Sequence, residues 1–138
     1  MKRKSYFFGL LGILSACMYQ NQSYGPIDLT GTWKLIEILS DPGDGSGQFN
    51  KTSIDMTIEV FNDNTFKATR VMCEISGGLY PYQTSGTFDI QAGTLTPDNC
   101  RFPKTIYFVI EGNHLILSYL SDEPYRQKFE KIAIINNE

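Results

Sequence analysis

From residue 31 onward, the chain is a series of short runs rich in strand-forming residues, in places alternating apolar and polar, each cut by turn-forming residues. In a strand successive side chains point to opposite faces, so this pattern builds hairpins. It leaves no stretch with the 3.6-residue period that an amphipathic helix needs. Residues 54–61 show it most clearly, with Ile54, Met56, Ile58 and Val60 on one face, and Asn62-Asp63-Asn64 then turns the chain into 65–73. The other expected strands are 31–40, 84–91, 94–96, 105–111, 114–120 and 125–135. Ala92-Gly93, Gly112-Asn113 and Asp122-Glu123-Pro124 supply further turns, and two longer connections interrupt the pattern. One is Asp41-Pro42-Gly43-Asp44-Gly45-Ser46-Gly47, and the other, 76–83, holds Gly77-Gly78 and Tyr80-Pro81-Tyr82. About eight strands in mostly sequential hairpins predict an all-β fold, a small up-and-down antiparallel β-barrel whose closure removes exposed edges. A seven-stranded sandwich is the alternative.

The segment before this pattern reads as an address. Lys2, Arg3 and Lys4 form a basic patch, 6–14 is apolar apart from Gly9 and Gly12, and Leu14-Ser15-Ala16-Cys17 follows. These are the three zones of a secretory signal peptide. About nine apolar residues are too few for a bilayer core, which takes roughly twenty. Leu-Ser-Ala-Cys resembles the bacterial lipobox. The resemblance implies a diacylglycerol on the Cys17 thiol, cleavage before it, and a further acyl chain such as palmitate on the new amine. The plainer alternative is an ordinary cleaved signal peptide beside a chance cysteine. Residues 1–16 are thus expected to be a lipoprotein signal peptide, 17–28 a lipidated tether and 29–138 the barrel domain. Two or three acyl chains meet the need for more than one anchoring signal, at about 0.8 kcal/mol per buried methylene. Met18 rather than an acidic residue follows Cys17, and by likeness to lipoprotein sorting patterns this implies a place in the cell envelope at the outer membrane.

Loss of residues 1–16 takes three basic charges with it. Nine Lys and Arg then face fifteen Asp and Glu, moving the formal charge from −3 to −6. No basic block remains, so a nucleic-acid partner is excluded. With Cys17 assigned to lipid, Cys73 and Cys100 form an even pair in an oxidising compartment, and a disulfide is the economical reading. Two free thiols or a metal site are the alternatives. The metal site has little support, because His114 is the only histidine and no CxxC spacing exists.

Candidate catalytic groups are equally sparse. One histidine and two cysteines expected to pair leave no nucleophile–base arrangement, and the glycine-rich stretches lack Lys-Ser/Thr and a following helix. Neither an enzyme nor a cofactor is expected. Asp41 and Asp44 are three residues apart, whereas a calcium loop needs ligands at alternate positions, so the 41–47 loop reads as a solvated lip. Asn50-Lys51-Thr52 is a chance sequon. Trp33 reads as core, and Tyr80-Pro81-Tyr82 as either a contact patch or a lid over the barrel. Tyr107 to Ile110 and Leu115 to Leu117 are continuously apolar, which means both faces are covered there or an exterior apolar patch exists.

Leu29-Thr30-Gly31-Thr32-Trp33-Lys34-Leu35 resembles the opening strand of lipocalin-like proteins, with their Gly-x-Trp signature. Ser85-Gly86-Thr87-Phe88, Gly93-Thr94-Leu95 and Ile110-Glu111-Gly112-Asn113-His114-Leu115 are similar to later strands of bacterial lipocalin-like domains. Asp41 to Phe49 looks like a stretch met in lipocalin-like lipoproteins of the Bacteroidota. The resemblance covers Leu29 to Lys131; unlike the larger lipocalins, the chain is short and shows no helix after the barrel. It implies a membrane-anchored lipocalin-like lipoprotein that takes a small apolar ligand into the barrel mouth. The competing expectation is a protein-interaction or envelope-structural lipoprotein, with a filled barrel and an envelope protein as partner. Inhibition of a secreted protease is a third.

Overall fold

The computed structural model describes residues 28–74, 82–98, 100–102 and 104–133. The cleavage and lipidation expected around Cys17 therefore lie outside the described residues. Nine strands follow in order: β1 (Gly31–Ser40), β2 (Phe49–Lys51), β3 (Thr57–Val60), β4 (Thr65–Ala68), β5 (Thr84–Asp89), β6 (Thr94–Pro97), β7 (Ile106–Glu111), β8 (His114–Tyr119) and β9 (Tyr125–Ala133). From β3 to β9 each pairs antiparallel with the next, and β1 pairs with both β3 and β9. Eight strands thus close on themselves, as expected for an up-and-down barrel rather than a sandwich.

The ninth strand, β2, was not foreseen. It lies on the same edge of β1 as β3 but farther along. Glu37, Ile38 and Leu39 pair with Lys51, Asn50 and Phe49, while Gly31 to Lys34 pair with Val60 to Thr57. Five residues, 52–56, face only Leu35 and Ile36 across this gap, so one barrel wall is a broken strand. The expected strand from residue 54 accordingly starts at Thr57, although Met56 still reaches the core with no exposure. Lys128 pins β2 from outside: it pairs with Glu37 and its Nζ sits 4.1 Å from the centre of the Phe49 ring. Among other boundaries, the strand expected over 65–73 stops at Ala68; Thr69 and Arg70 still bond Thr57 and Asp55 on the β3 side, while the Met72 N–H donates to Thr84 Oγ1 at the start of β5.

Alternation decides what fills the barrel. β5 reads buried and exposed in strict turn, with Thr84, Gly86 and Phe88 inside. Trp33, Phe66, Phe129, Met56, Ile58, Met72, Leu95, Ile106, Leu115 and Leu117 are all below 2% exposed or at that value, within one cluster. Each such side chain contributes roughly 1.5–3 kcal/mol by leaving water. The interior is thus occupied by the protein's own side chains. Bulges in the β1–β9 pairing, between Thr32 and Trp33 and between Leu35 and Glu37, shift which residues of β1 face inward. After the second bulge Ile38 points to the core while Glu37 faces Lys128 outside.

Both alternatives for the apolar runs are met, in different strands. On β7, Ile106 and Phe108 are buried while Tyr107 and Val109 are 47% and 52% exposed. On β8, Leu115, Ile116 and Leu117 are all buried, with Ile116 on the outer face opposite Val109.

Candidate functional site

The two ends of the barrel differ in kind. At one end the connections are short: 61–64, 90–93 and 112–113. The chain enters there, and that end is shut. Trp33 is 2% exposed and donates its indole N–H to the Leu29 carbonyl at 2.8 Å, while Leu29 is itself buried. Lys131 lies 5.2 Å from the Trp33 ring centre and pairs with Asp28 at 3.3 Å. Gly31 has φ +128°, and a β-carbon on it would fall 2.5 Å from the Ala133 carbonyl oxygen. The glycine is therefore required where β1 and β9 meet most closely.

As far as they are described, the connections that follow β1, β4, β6 and β8 lie at the opposite end. Loops carried on a rigid scaffold are where binding groups concentrate. A disulfide joins Cys73, just after β4, to Cys100, between β6 and β7, and so ties two of these loops together. Tyr82, Phe102 and Leu120, one on each of three loops, are 70%, 66% and 69% exposed. Tyr80 and Pro81 lie outside the described residues, so only the last residue of the expected aromatic loop is placed. His114 begins β8 at the closed end, far along the strand from either cysteine. Among the described residues no group of three or more His, Cys, Asp and Glu side chains could hold a metal.

The 41–47 loop corrects one expectation. It is a lip, but Asp41 is 5% exposed and turned inward rather than solvated. Its carboxylate accepts the backbone N–H groups of Gly43 at 2.7 Å, Gly45 at 3.1 Å and Gly47 at 2.7 Å. The hydrogen bond from Gly47, followed by those from Gly43 and Gly45, holds its pKa below the usual aspartate value against the opposing cost of desolvation. The loop is therefore folded around an anion of its own, the reverse of a cation site.

Beneath the rim is a polar set that the pattern of apolar residues concealed. Gln127 is 1% exposed and sits on the inward face of β9, between Tyr125 and Phe129. Tyr119 donates its hydroxyl proton to Gln127 Oε1 at 2.9 Å, and Gln127 Nε2 donates to the Tyr125 hydroxyl at 3.4 Å. The two tyrosine rings meet edge to face, 5.5 Å apart. Burial, and secondarily the neighbouring Tyr125, raises the Tyr119 phenol far above its ordinary range, so it stays a neutral donor. Beside this set a groove of about 480 Å³ is lined by Ser40, Leu120, Ser121, Asp122, Glu123 and Tyr125. A glutamine alternating with Tyr125 and Phe129 in the last strand was the available signal, since period two places it among core positions.

The closed, tryptophan-plugged end, the eight-strand closure and the opposing loop end occur together in one barrel. A family model described as a lipocalin-like domain matches residues 29–138. The chain belongs to the lipocalin-like domain family. Comparison with curated proteins and with solved structures returns no significant match. The family gives this lipocalin-like barrel a fold suited to small ligands, and its loop-bearing end is the candidate site. The resemblance of the Gly31-Thr32-Trp33 segment to the family's opening strand thus carries a definite structural meaning: close approach at Gly31 and a plug at Trp33.

Proposed function

We propose that this lipocalin-like protein is a lipid-anchored lipoprotein of the cell envelope, attached through Cys17 at the outer membrane, and that it binds a small, mainly apolar ligand at its loop-bearing end. The observation that carries the binding reading is the placement of Tyr82, Phe102 and Leu120, three exposed apolar side chains on three loops around one rim. Apolar surface left in water costs about 25 cal/mol per Å² relative to burial, and a bound ligand would recover part of that. The filled interior directs the ligand to the rim and groove rather than deep into the barrel. No covalent chemistry is assigned, and the protein is read as a binder rather than an enzyme.

Native mass spectrometry of protein purified from its own membrane tests the ligand. A bound mass is expected, lost with the double substitution Phe102→Ser and Leu120→Ser. Protein free of any adduct that also fails to bind environment-sensitive apolar dyes would refute the reading. Labelling with a clickable fatty acid tests the anchor separately, and retention of label in Cys17→Ser would remove it.

The filled interior also favours a second reading, a solid barrel whose loops hold an envelope protein. It expects substitutions at Tyr82 or in 43–46 to abolish co-purification of one specific protein without lowering stability.

A further inference from the structure

The groove at the loop-bearing end has a polarity that defines which ligands fit it, given the ligand-binding reading above. Ser40 of β1 is paired in register with Tyr125 of β9, and Tyr119 of β8 is paired with Tyr125 from the other side. The hydrogen bonds run one way through this set, from the Tyr119 hydroxyl to Gln127 Oε1 and from Gln127 Nε2 to the Tyr125 oxygen. Tyr125 is the last member. Its oxygen accepts from Gln127, whereas its own O–H has no acceptor among the described residues. A hydroxyl that accepts from one donor becomes a better donor in turn, because each bond polarises the next. Tyr125 is also a wall of the groove.

The rest of the lining divides by chemistry. Leu120 offers apolar surface, Ser40 and Ser121 offer small hydroxyls, and Asp122 and Glu123 place two carboxylates at the same opening. No lysine or arginine lines the groove. Carboxylates at an opening repel an entering anion, strongly so within a Debye length of about 10 Å at moderate salt.

We propose that Tyr125 donates a hydrogen bond to the oxygen of a neutral amphiphile, an alcohol, ketone or ester, seated in this groove, and that Asp122 and Glu123 exclude amphiphiles with anionic heads. The apolar body lies against Leu120 and the head meets Tyr125. Specificity then rests on the head group, since the apolar contacts serve neutral and anionic chains alike.

Calorimetric titration of the full chain with 1-decanol and with decanoate, at pH 7.5 and low salt, tests this. N-phenyl-1-naphthylamine serves as the head-independent apolar probe. Decanol is expected to bind at least about tenfold more tightly than decanoate. Tyr125→Phe keeps the ring, and should weaken decanol about 3- to 10-fold, the span of one hydrogen bond, with the dye affinity unchanged; the thermal midpoint should fall, because buried Gln127 Nε2 loses its acceptor. Asp122→Asn with Glu123→Gln should raise decanoate binding toward that of decanol. If the dye binds while decanol and decanoate bind equally, or if Tyr125→Phe leaves decanol affinity intact, head-group selection is overturned and the ligand-binding reading stands. If neither dye nor decanol binds, both fall.

Discussion

An alanine at position 86 would place its β-carbon 2.3 Å from the Thr96 carbonyl oxygen and 2.6 Å from the Phe66 ring. Gly86 and Phe66 are direct cross-strand partners, so the ring lies over the space that the missing side chain leaves. Gly86→Ala should therefore destabilise the fold by about 1–3 kcal/mol, the usual range for overpacking. In a Phe66→Leu background the same change should cost less, because the smaller side chain retreats. Denaturant titration of the four proteins in this cycle checks the coupling, and strict additivity would contradict the packing account. Asp41 makes a different residue-scale prediction. Its anionic form is favoured in the folded state by three backbone donors, so its pKa lies below the unfolded value. Such a group stabilises the fold fully above the unfolded pKa, near 4, and that contribution is lost as pH falls through the lowered value. Asp41→Asn should lower the thermal midpoint at pH 7, and the gap to the parent protein should narrow as pH drops below 4. A gap that stays constant with pH would exclude the anion as the cause. Gly47→Ala should mimic the defect, since its β-carbon would meet the Asp41 β-carbon at 2.6 Å.

At the scale of elements, alternation was readable where burial on one side left a period-two imprint in residue type, as in β3 and β5. β7 alternates in burial too, but its continuously apolar run hid this. β2 left none. Three residues with intermediate or exposed side chains carry no apolar rhythm, and the strand exists because β1 offers an edge and Lys128 holds Phe49 against it. The disulfide joins elements that are close in the sheet yet 27 residues apart in sequence. In the chain-entropy model a loop of that size stabilises by roughly 3–4 kcal/mol. Replacing both Cys73 and Cys100 by serine should lower stability by that amount in guanidinium titration, and reductant should reproduce the effect in the parent protein. Reductant should leave the double-serine protein unaffected. An identical unfolding midpoint with and without reductant would show that the bridge contributes nothing.

The whole molecule has a direction. The described chain starts at Asp28 beside the closed end, and β1 runs about 3.3 Å per residue toward the loop end. With Cys17 in a membrane, as proposed, a tether of this length reaches at most roughly 40 Å. Attachment through the shut end is expected to hold that end nearer the bilayer than the groove. A fluorophore at Asn113, in the closed-end turn, should be quenched by headgroup-linked quenchers more than one at Asp44, in the long loop. Equal quenching, or the reverse order, would contradict this orientation.

The strand-rich fold, its hairpin order and the pairing of Cys73 with Cys100 were all legible in residue order, because each depends on local turn chemistry, alternation or a simple count. The Gly31-x-Trp33 segment likewise pointed to the opening strand of a lipocalin-like barrel, and the structure showed that it shuts one end. The rest depended on tertiary structure. Whether strands close, how a broken strand shares one edge of β1, and which loops gather at one end follow from pairings distant in sequence. Gln127, Tyr119 and Tyr125 show the reason most plainly. In the chain they are a polar residue and two aromatics on separate strands, and only the β8–β9 register makes them a directed hydrogen-bond chain at the wall of a groove.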